Sequence, residues 1–239
     1  MNMSLLCTLK KRLGDFSLDV DFTCPPGKTL ALIGPSGSGK TTIIRMLAGL
    51  HKPDEGRIEC SGRVLFDSEK GVFLPPQKRE MGYVFQDYTL FPHLNIRDNA
   101  SFAAQDASEA DYLLDYFGLK HLGERKPYQV SGGERQRCAI CQALARRPRL
   151  LLLDEPFSAL DVVTRRILRS ELKRIKEERD LSTVYVTHDI HEALFMADEI
   201  LPVVDGRIER DWLEKIVSPA SPCGPQPKAL REPKLSLVY

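Results

Sequence analysis

Eight consecutive residues, Gly34-Pro35-Ser36-Gly37-Ser38-Gly39-Lys40-Thr41, have the types and spacing needed to hold a phosphate chain. They fit G-x-x-x-x-G-K-[ST] at every fixed position, a pattern whose glycines let backbone N–H groups turn inward around an anion. Lys40 would reach the β- and γ-phosphates, the Thr41 hydroxyl would ligate Mg²⁺, and Thr42 continues the same nucleotide-contacting turn. The loop runs from an apolar segment, "KTLALIG", into a helical one, "TTIIRMLAGL", so the positive end of a helix dipole would face the anion. ATP and Mg²⁺ are the implied ligands.

A second cluster supports that chemistry. "LLLLDEP" is an apolar run ending in two carboxylates, Asp154 and Glu155. If the run is a buried strand, the acids emerge at its C-terminal end, where ligands bind in open α/β sheets. Asp154 would hold Mg²⁺, and Glu155 would orient and deprotonate an attacking water. A third cluster, "VSGGERQR" at residues 130–137, again sets glycines at a helix start and raises the question of a second phosphate-contacting loop.

The elements that must carry these residues alternate. "DFSLDVDF" has the period of a half-buried strand. "RIECSGRVLFD" and "EMGYVFQD" read as two further strand-like segments around Pro75 and Pro76. From about residue 88 to 148 the pattern turns helical, and the strands "RLLLLDEP" and "STVYVTHD" then flank the charged helix "TRRILRSELKRIKEERD". That order gives an α/β protein with a mostly parallel sheet. Residues 216–239 are proline-rich and aperiodic and read as an extended tail.

A formal net charge of +1 removes any bulk electrostatic case for a nucleic-acid partner, and none is expected. No apolar run approaches the roughly 18 residues that span a bilayer. "MNMSLLCTLKKR" puts its basic residues after its apolar patch, the wrong order for a signal peptide. The six cysteines (Cys7, Cys24, Cys60, Cys138, Cys141 and Cys223) have no disulfide-like rhythm. Cys138 and Cys141 form a C-x-x-C, but no second pair or thioredoxin-like context accompanies them. They read as small apolar residues on a helix face.

The order "GPSGSGKTT", "VFQD", "VSGGERQR", "LLLLDEP", "SALD", "VTHD" resembles the ATP-binding subunits of ABC transporters, and the resemblance runs to about Arg210. It implies a P-loop NTPase (RecA-like) α/β core with an antiparallel β subdomain and an inserted helical subdomain, about 88–148, within a domain of residues 1–215. It also implies a head-to-tail homodimer. Ser131, Gly132, Gly133 and Glu134 would then meet the γ-phosphate on the second ATP-binding subunit, which answers why a second loop is present. The family pattern L-S-G-G-Q is altered here at Val130 and Glu134. By the same resemblance Gln86 touches Mg²⁺ or water, Asp161 lies along the dimer interface, and His188 contacts the γ-phosphate and steadies the water near Glu155. His191 has no matching role and is expected to face solvent. Phe16 is the candidate to stack on adenine, although it fits the apolar face of its strand equally well.

Residues 62–96, with "GRVLFDS", "LPPQKR" and "GYVFQD", are similar to molybdate importer ATPases. The resemblance implies a peripheral subunit on the cytoplasmic face of the membrane. Two integral membrane permease subunits would dock at a groove near Gln86–Ile96, where Tyr88, Leu90 and Phe91 lie. An extracytoplasmic oxyanion-binding protein would deliver molybdate or tungstate, with sulfate as the alternative cargo. Such ATPases often carry a C-terminal oxyanion-binding domain, and this chain is expected to be a short form. A soluble ABC ATPase acting on nucleic acid or ribosomes is the rival reading. The single cassette without a long coiled coil fits that reading poorly.

Overall fold

A computed structural model of the protein describes residues 5–212 except 88 and 105. The chain divides into two units, Met1–Glu209 and Arg210–Tyr239, and every element named below belongs to the first. The proline-rich segment, Cys223 and Tyr88 lie outside the described residues.

The first sheet is antiparallel. Strands β1 (Leu5–Leu13) and β2 (Phe16–Cys24) pair through a hairpin closed at Leu13↔Phe16, with Gly14 at φ 62° in the turn. The apolar patch near the N-terminus, whose short run before basic residues carries no clear strand signal, is therefore the start of a strand. "RIECSGRVLFD" is not one strand but two, β4 (Glu55–Cys60) and β5 (Arg63–Asp67). Ser61 and Gly62 between them both have positive φ, 48° and 78°, the backbone that a two-residue type I′ hairpin turn demands. With β6 (Val72–Phe73), the order is β2-β1-β4-β5-β6.

The second sheet is the core. β3 (Thr29–Ile33), β7 (Met81–Val84), β8 (Leu150–Asp154), β9 (Ser182–Val186) and β10 (Glu199–Val204) run parallel, with the short β11 (Arg207–Ile208) antiparallel at one edge. The order is β11-β10-β3-β9-β8-β7. β3, β8 and β9 are buried at every position, which explains their near-continuous apolar runs. The chemistry falls at the C-terminal ends of β3 and β8, neighbours of β9 on either side.

Helix α1 (Lys40–Ala48) follows β3, and an unusual brace fixes its far end. Arg79 is 1% exposed; it donates to Met46 O and Leu47 O at 2.8 and 2.6 Å, and from Nε to Leu74 O at 2.7 Å. Burial lowers this guanidinium to a pKa of about 10. A Cβ on Gly49 would lie 2.6 Å from Arg79 Nε, so the helix-ending glycine also makes room for the brace.

Between β7 and β8 lie α2 (Ile96–Ser101), α3 (Ala107–Tyr116) and α4 (Gly132–Ala145), packed on one another. Cys138 and Cys141 are buried in α4, where desolvation raises both thiols. That environment suits packing, not reactivity. Helices α5 (Val162–Glu178) and α6 (Ile190–Met196) complete the unit.

Candidate nucleotide site

The loop 34–39 works because of where its glycines stand. Gly34, Gly37 and Gly39 have φ of 145°, 80° and 101°, a region that L side chains avoid. A Cβ on Gly34 would sit 2.0 Å from Val203 O, so that glycine is also required by the approach of β10. Gly39 caps α1 without any side-chain hydrogen bond to the helix start. The first N–H groups of α1 therefore face outward with no side-chain cap. Lys40 is 6% exposed and donates to Gly34 O, Pro35 O and Ser38 Oγ at 2.9, 2.7 and 3.2 Å. It closes the loop on itself, and burial lowers its pKa.

Asp154 ends β8 and is 2% exposed. Its Oδ1 accepts from Thr41 Oγ1 at 3.0 Å and its Oδ2 from the Tyr83 hydroxyl at 3.1 Å. Burial raises the Asp154 carboxyl, while the two hydroxyl donors oppose that rise. Burial and the Asp154 charge likewise hold the Tyr83 phenol well above its usual range. Glu155 turns the chain at φ 45°, an uncommon backbone for a non-glycine residue, and its N–H donates to Val186 O at 3.0 Å. Its Oε2 lies 3.2 Å from His188 Nδ1.

Leu13, Phe16, Ser36, Gly37, Gly39, Lys40, Thr41, Thr42 and Glu155 line one open cleft of about 350 Å³. Phe16 stands at the end of the apolar face of β2, its ring at the lip of this cleft, where Cζ would be 3.2 Å from a Cβ on Gly39. Its strand position and its place in the cleft coexist.

The donor set fits a magnesium nucleotide. The glycines leave a cradle that side chains would fill, and Thr41 and Asp154 bring a hydroxyl and a carboxylate to one point. Among the described residues no three His, Cys, Asp or Glu side chains gather as a protein-only metal cage. Mg²⁺ suits such a sparse set, since it keeps several waters and takes the rest of its shell from phosphates.

Other residues named from the sequence stand elsewhere. Gln86 follows β7, exposed, and its side chain makes no hydrogen bond among the described residues. Asp161 caps α5, accepting from Val163 N and Thr164 N at 3.0 Å each. His191 is exposed. Ser131 caps α4 in a closed box. Glu134 N donates to Ser131 Oγ at 3.3 Å, and Glu134 Oε2 accepts from Ser131 N and Oγ at 2.7 and 2.8 Å. A Cβ on Gly133 would come within 3.0 Å of Thr164 Cγ2, so packing against α5 gives this glycine a role inside its own chain. None of residues 131–134 lines the cleft.

A second concavity, about 480 Å³, opens between β7 and the helical layer, with Tyr83, Phe85, Phe91, Phe102, Gln142 and Arg146 among its walls. Buried Asn99 fixes one side of it, accepting from Phe91 N at 2.7 Å and donating to Phe91 O and Leu94 O at 3.1 and 3.2 Å. Tyr83 was not singled out in the sequence, where nothing separates it from any other aromatic strand residue.

Comparison with known proteins agrees with this geometry. Residues 18–158 match the ABC transporter family model. The molybdenum import ATP-binding protein ModC of Rhizobium johnstonii is 46% identical over 213 residues, 87% of this chain and 60% of that protein. The sulfate/thiosulfate import ATP-binding protein CysA of Mycobacterium bovis is 48% identical over 210 residues, 84% and 58% respectively. The chain thus spans about three-fifths of the length of these relatives. Among solved structures, the ATP-binding cassette MJ0796, a dimer in a post-hydrolysis state with ADP and Pi, superposes with a TM-score of 0.72 at 30% identity, covering 86% of this chain and 96% of that one. CbiO1 of Clostridium perfringens, part of the ABC transporter complex cbiONQ, gives a TM-score of 0.75 at 27% identity, covering 87% and 88%. The fold is that of a P-loop NTPase.

Proposed function

The chain belongs to the ABC transporter family, and from that footing we propose that it is the ATP-hydrolysing subunit that powers import of a tetrahedral oxyanion through separate membrane subunits. The observation that carries the reading is the convergence of the glycine cradle, Lys40, Thr41 and Glu155 on one cleft, with Asp154 hydrogen-bonded to Thr41 and His188 beside Glu155. In this reading Gly34 to Thr42 bind the phosphates and Phe16 stacks on the base. Thr41 and Asp154 would hold Mg²⁺, which would neutralise phosphate charge, and Gln86, which lies outside the cleft of the single chain, would join them only after a shift of the segment behind β7. Glu155 takes a proton from the attacking water, and His188 fixes the carboxylate that does so.

The cleft in one chain contains no residue of the 131–134 loop, which supports assigning that loop and Asp161 to the site of a second copy. ATP would then join two copies, and loss of the γ-phosphate would part them. The apolar concavity beside β7 suits a helix of each permease subunit, on the cytoplasmic face of the membrane. No helix among the described residues is long and apolar enough to cross a membrane.

Molybdate or tungstate is the cargo we place first, from the likeness of residues 62–96. The sulfate importers among the relatives stand at comparable identity and keep sulfate as the alternative. An extracytoplasmic binding protein would select the ion. Uptake by cells expressing the chain with its neighbouring transporter genes tests the proposal, with Lys40→Ala as control. Lys40-dependent uptake of molybdate or tungstate that resists excess sulfate is expected. Lys40-dependent uptake of sulfate alone would remove the molybdate assignment, and no Lys40-dependent flux of any oxyanion would contradict the importer reading.

A further inference from the structure

Asp154 has two partners, and only one of them belongs to the phosphate loop. Thr41 holds Oδ1 from α1, and Tyr83 holds Oδ2 from the adjacent strand β7. The register Val84↔Leu153 sets β7 beside β8, so the phenol reaches across one strand spacing to the carboxylate. Arg45 of α1 flanks both groups. The Tyr83 ring is also a wall of the apolar concavity, packed on Phe85 with centroids 4.2 Å apart. One side chain therefore has its ring in the concavity and its hydroxyl on the carboxylate.

We infer that Tyr83 is a positioning residue for the nucleotide site: its hydroxyl fixes the rotation of the Asp154 carboxylate. The physics is local. A buried carboxylate with one donor can turn about its Cβ–Cγ bond, whereas one held on both oxygens by donors from different elements cannot do so without breaking a charge-assisted hydrogen bond. Without Tyr83 the Thr41 hydroxyl is the one hydrogen-bond donor left on Asp154 among the described residues, beside the nearby charge of Arg45, and Thr41 is itself wanted for Mg²⁺ in the proposed site. The second donor keeps the carboxylate in place when the first is taken. The inference rests on the magnesium-nucleotide reading of the site and needs no particular transported ion.

The test uses the full chain with Tyr83→Phe, which keeps the ring and removes the hydroxyl. Phe85→Leu serves as a control that disturbs the same wall without touching Asp154. Calorimetric titration with ATP, in EDTA and then in Mg²⁺, reads the gain in affinity that the metal brings. The expected result for Tyr83→Phe is an affinity in EDTA within about twofold of wild type and a Mg²⁺-dependent gain reduced roughly tenfold, the scale of one hydrogen bond to a charged group. For Phe85→Leu both quantities should stay within about twofold. An unchanged Mg²⁺ gain in Tyr83→Phe overturns the inference, as does an equal fall in both variants, which would mark a packing effect. A wild-type chain that binds ATP with no Mg²⁺-dependent gain removes the magnesium reading of the site and the inference with it, and one that binds no ATP removes the nucleotide reading as well.

Discussion

Two helices of this protein begin with a glycine-rich turn, and they begin in opposite ways. α1 starts from Gly39, left-handed and without a side-chain cap, so its N-terminal N–H groups stay available to an anion. α4 starts from Ser131 in a capping box, in which the Ser131 hydroxyl accepts the Glu134 N–H and the Glu134 carboxylate accepts the Ser131 N–H. The first turn is open and lies in the cleft of its own chain; the second is closed and lies outside it. The α1 start offers its first N–H groups without any side-chain competitor, while the α4 start has its Ser131 hydroxyl and Glu134 N–H already tied to each other, with a carboxylate beside them. That the second loop lies outside the cleft of its own chain is what supports the proposal that it serves a ligand presented by a second copy.

The comparison breaks first at Lys40. Lys40→Ala should cut ATP hydrolysis by a factor on the order of 10²–10³, the loss expected when one preorganised charge is removed from a developing phosphate charge. A steady-state phosphate-release assay checks it.

Ser131→Ala attacks the closed loop. Loss of the cap should cost about 1 kcal/mol in urea unfolding. ATP affinity of the isolated chain should stay within about twofold, while ATP-driven association weakens roughly tenfold. Equal loss of both affinities would erase the distinction between the loops.

α6 extends the contrast to a third helix start. Asp189 caps it, and Glu192 in its first turn is buried with a pKa raised to about 7, chiefly by desolvation, against the pull of Arg169 and Arg165. The folded chain then holds a proton that the unfolded chain releases near its ordinary carboxyl pKa. Stability should therefore fall as pH rises from about 4.5 to 7 and level off above that. In Glu192→Gln the Tm measured across that window should lose this part of its slope.

The smallest effect is expected from Glu134→Gln. It removes a negative charge from the face that would meet a phosphate and keeps the box acceptor, so ATP-driven association should strengthen by a few-fold. Sedimentation at graded ATP reads it.

Much of this was legible in the sequence because glycine, lysine and acid spacing report backbone requirements directly. The cradle at 34–41 and the apolar strand ending at Asp154 announce themselves as motifs. The hairpin at Ser61-Gly62 was readable from its turn residues, yet the apolar period on either side ran together and concealed it. The strand at Leu5–Leu13 was hidden for a similar reason, since a short edge of apolar residues before basic ones looks like a terminus. Tyr83 could not be found at all, because its part depends on β7 lying beside β8, and no local pattern encodes that neighbour. Gly133 carries two demands at once, close packing on Thr164 and a place in the loop, and the sequence cannot separate them.

The most direct measurement is the mass in solution of the Glu155→Gln protein with and without MgATP, by light scattering. The variant keeps the cradle and the 131–134 loop and removes the proposed base, so ATP should bind and persist. The account predicts a monomer without nucleotide and a dimer of two chains with ATP, reverting to monomer when Ser131 is also replaced by arginine. A monomer at saturating MgATP would contradict the claim that the closed loop serves a second copy.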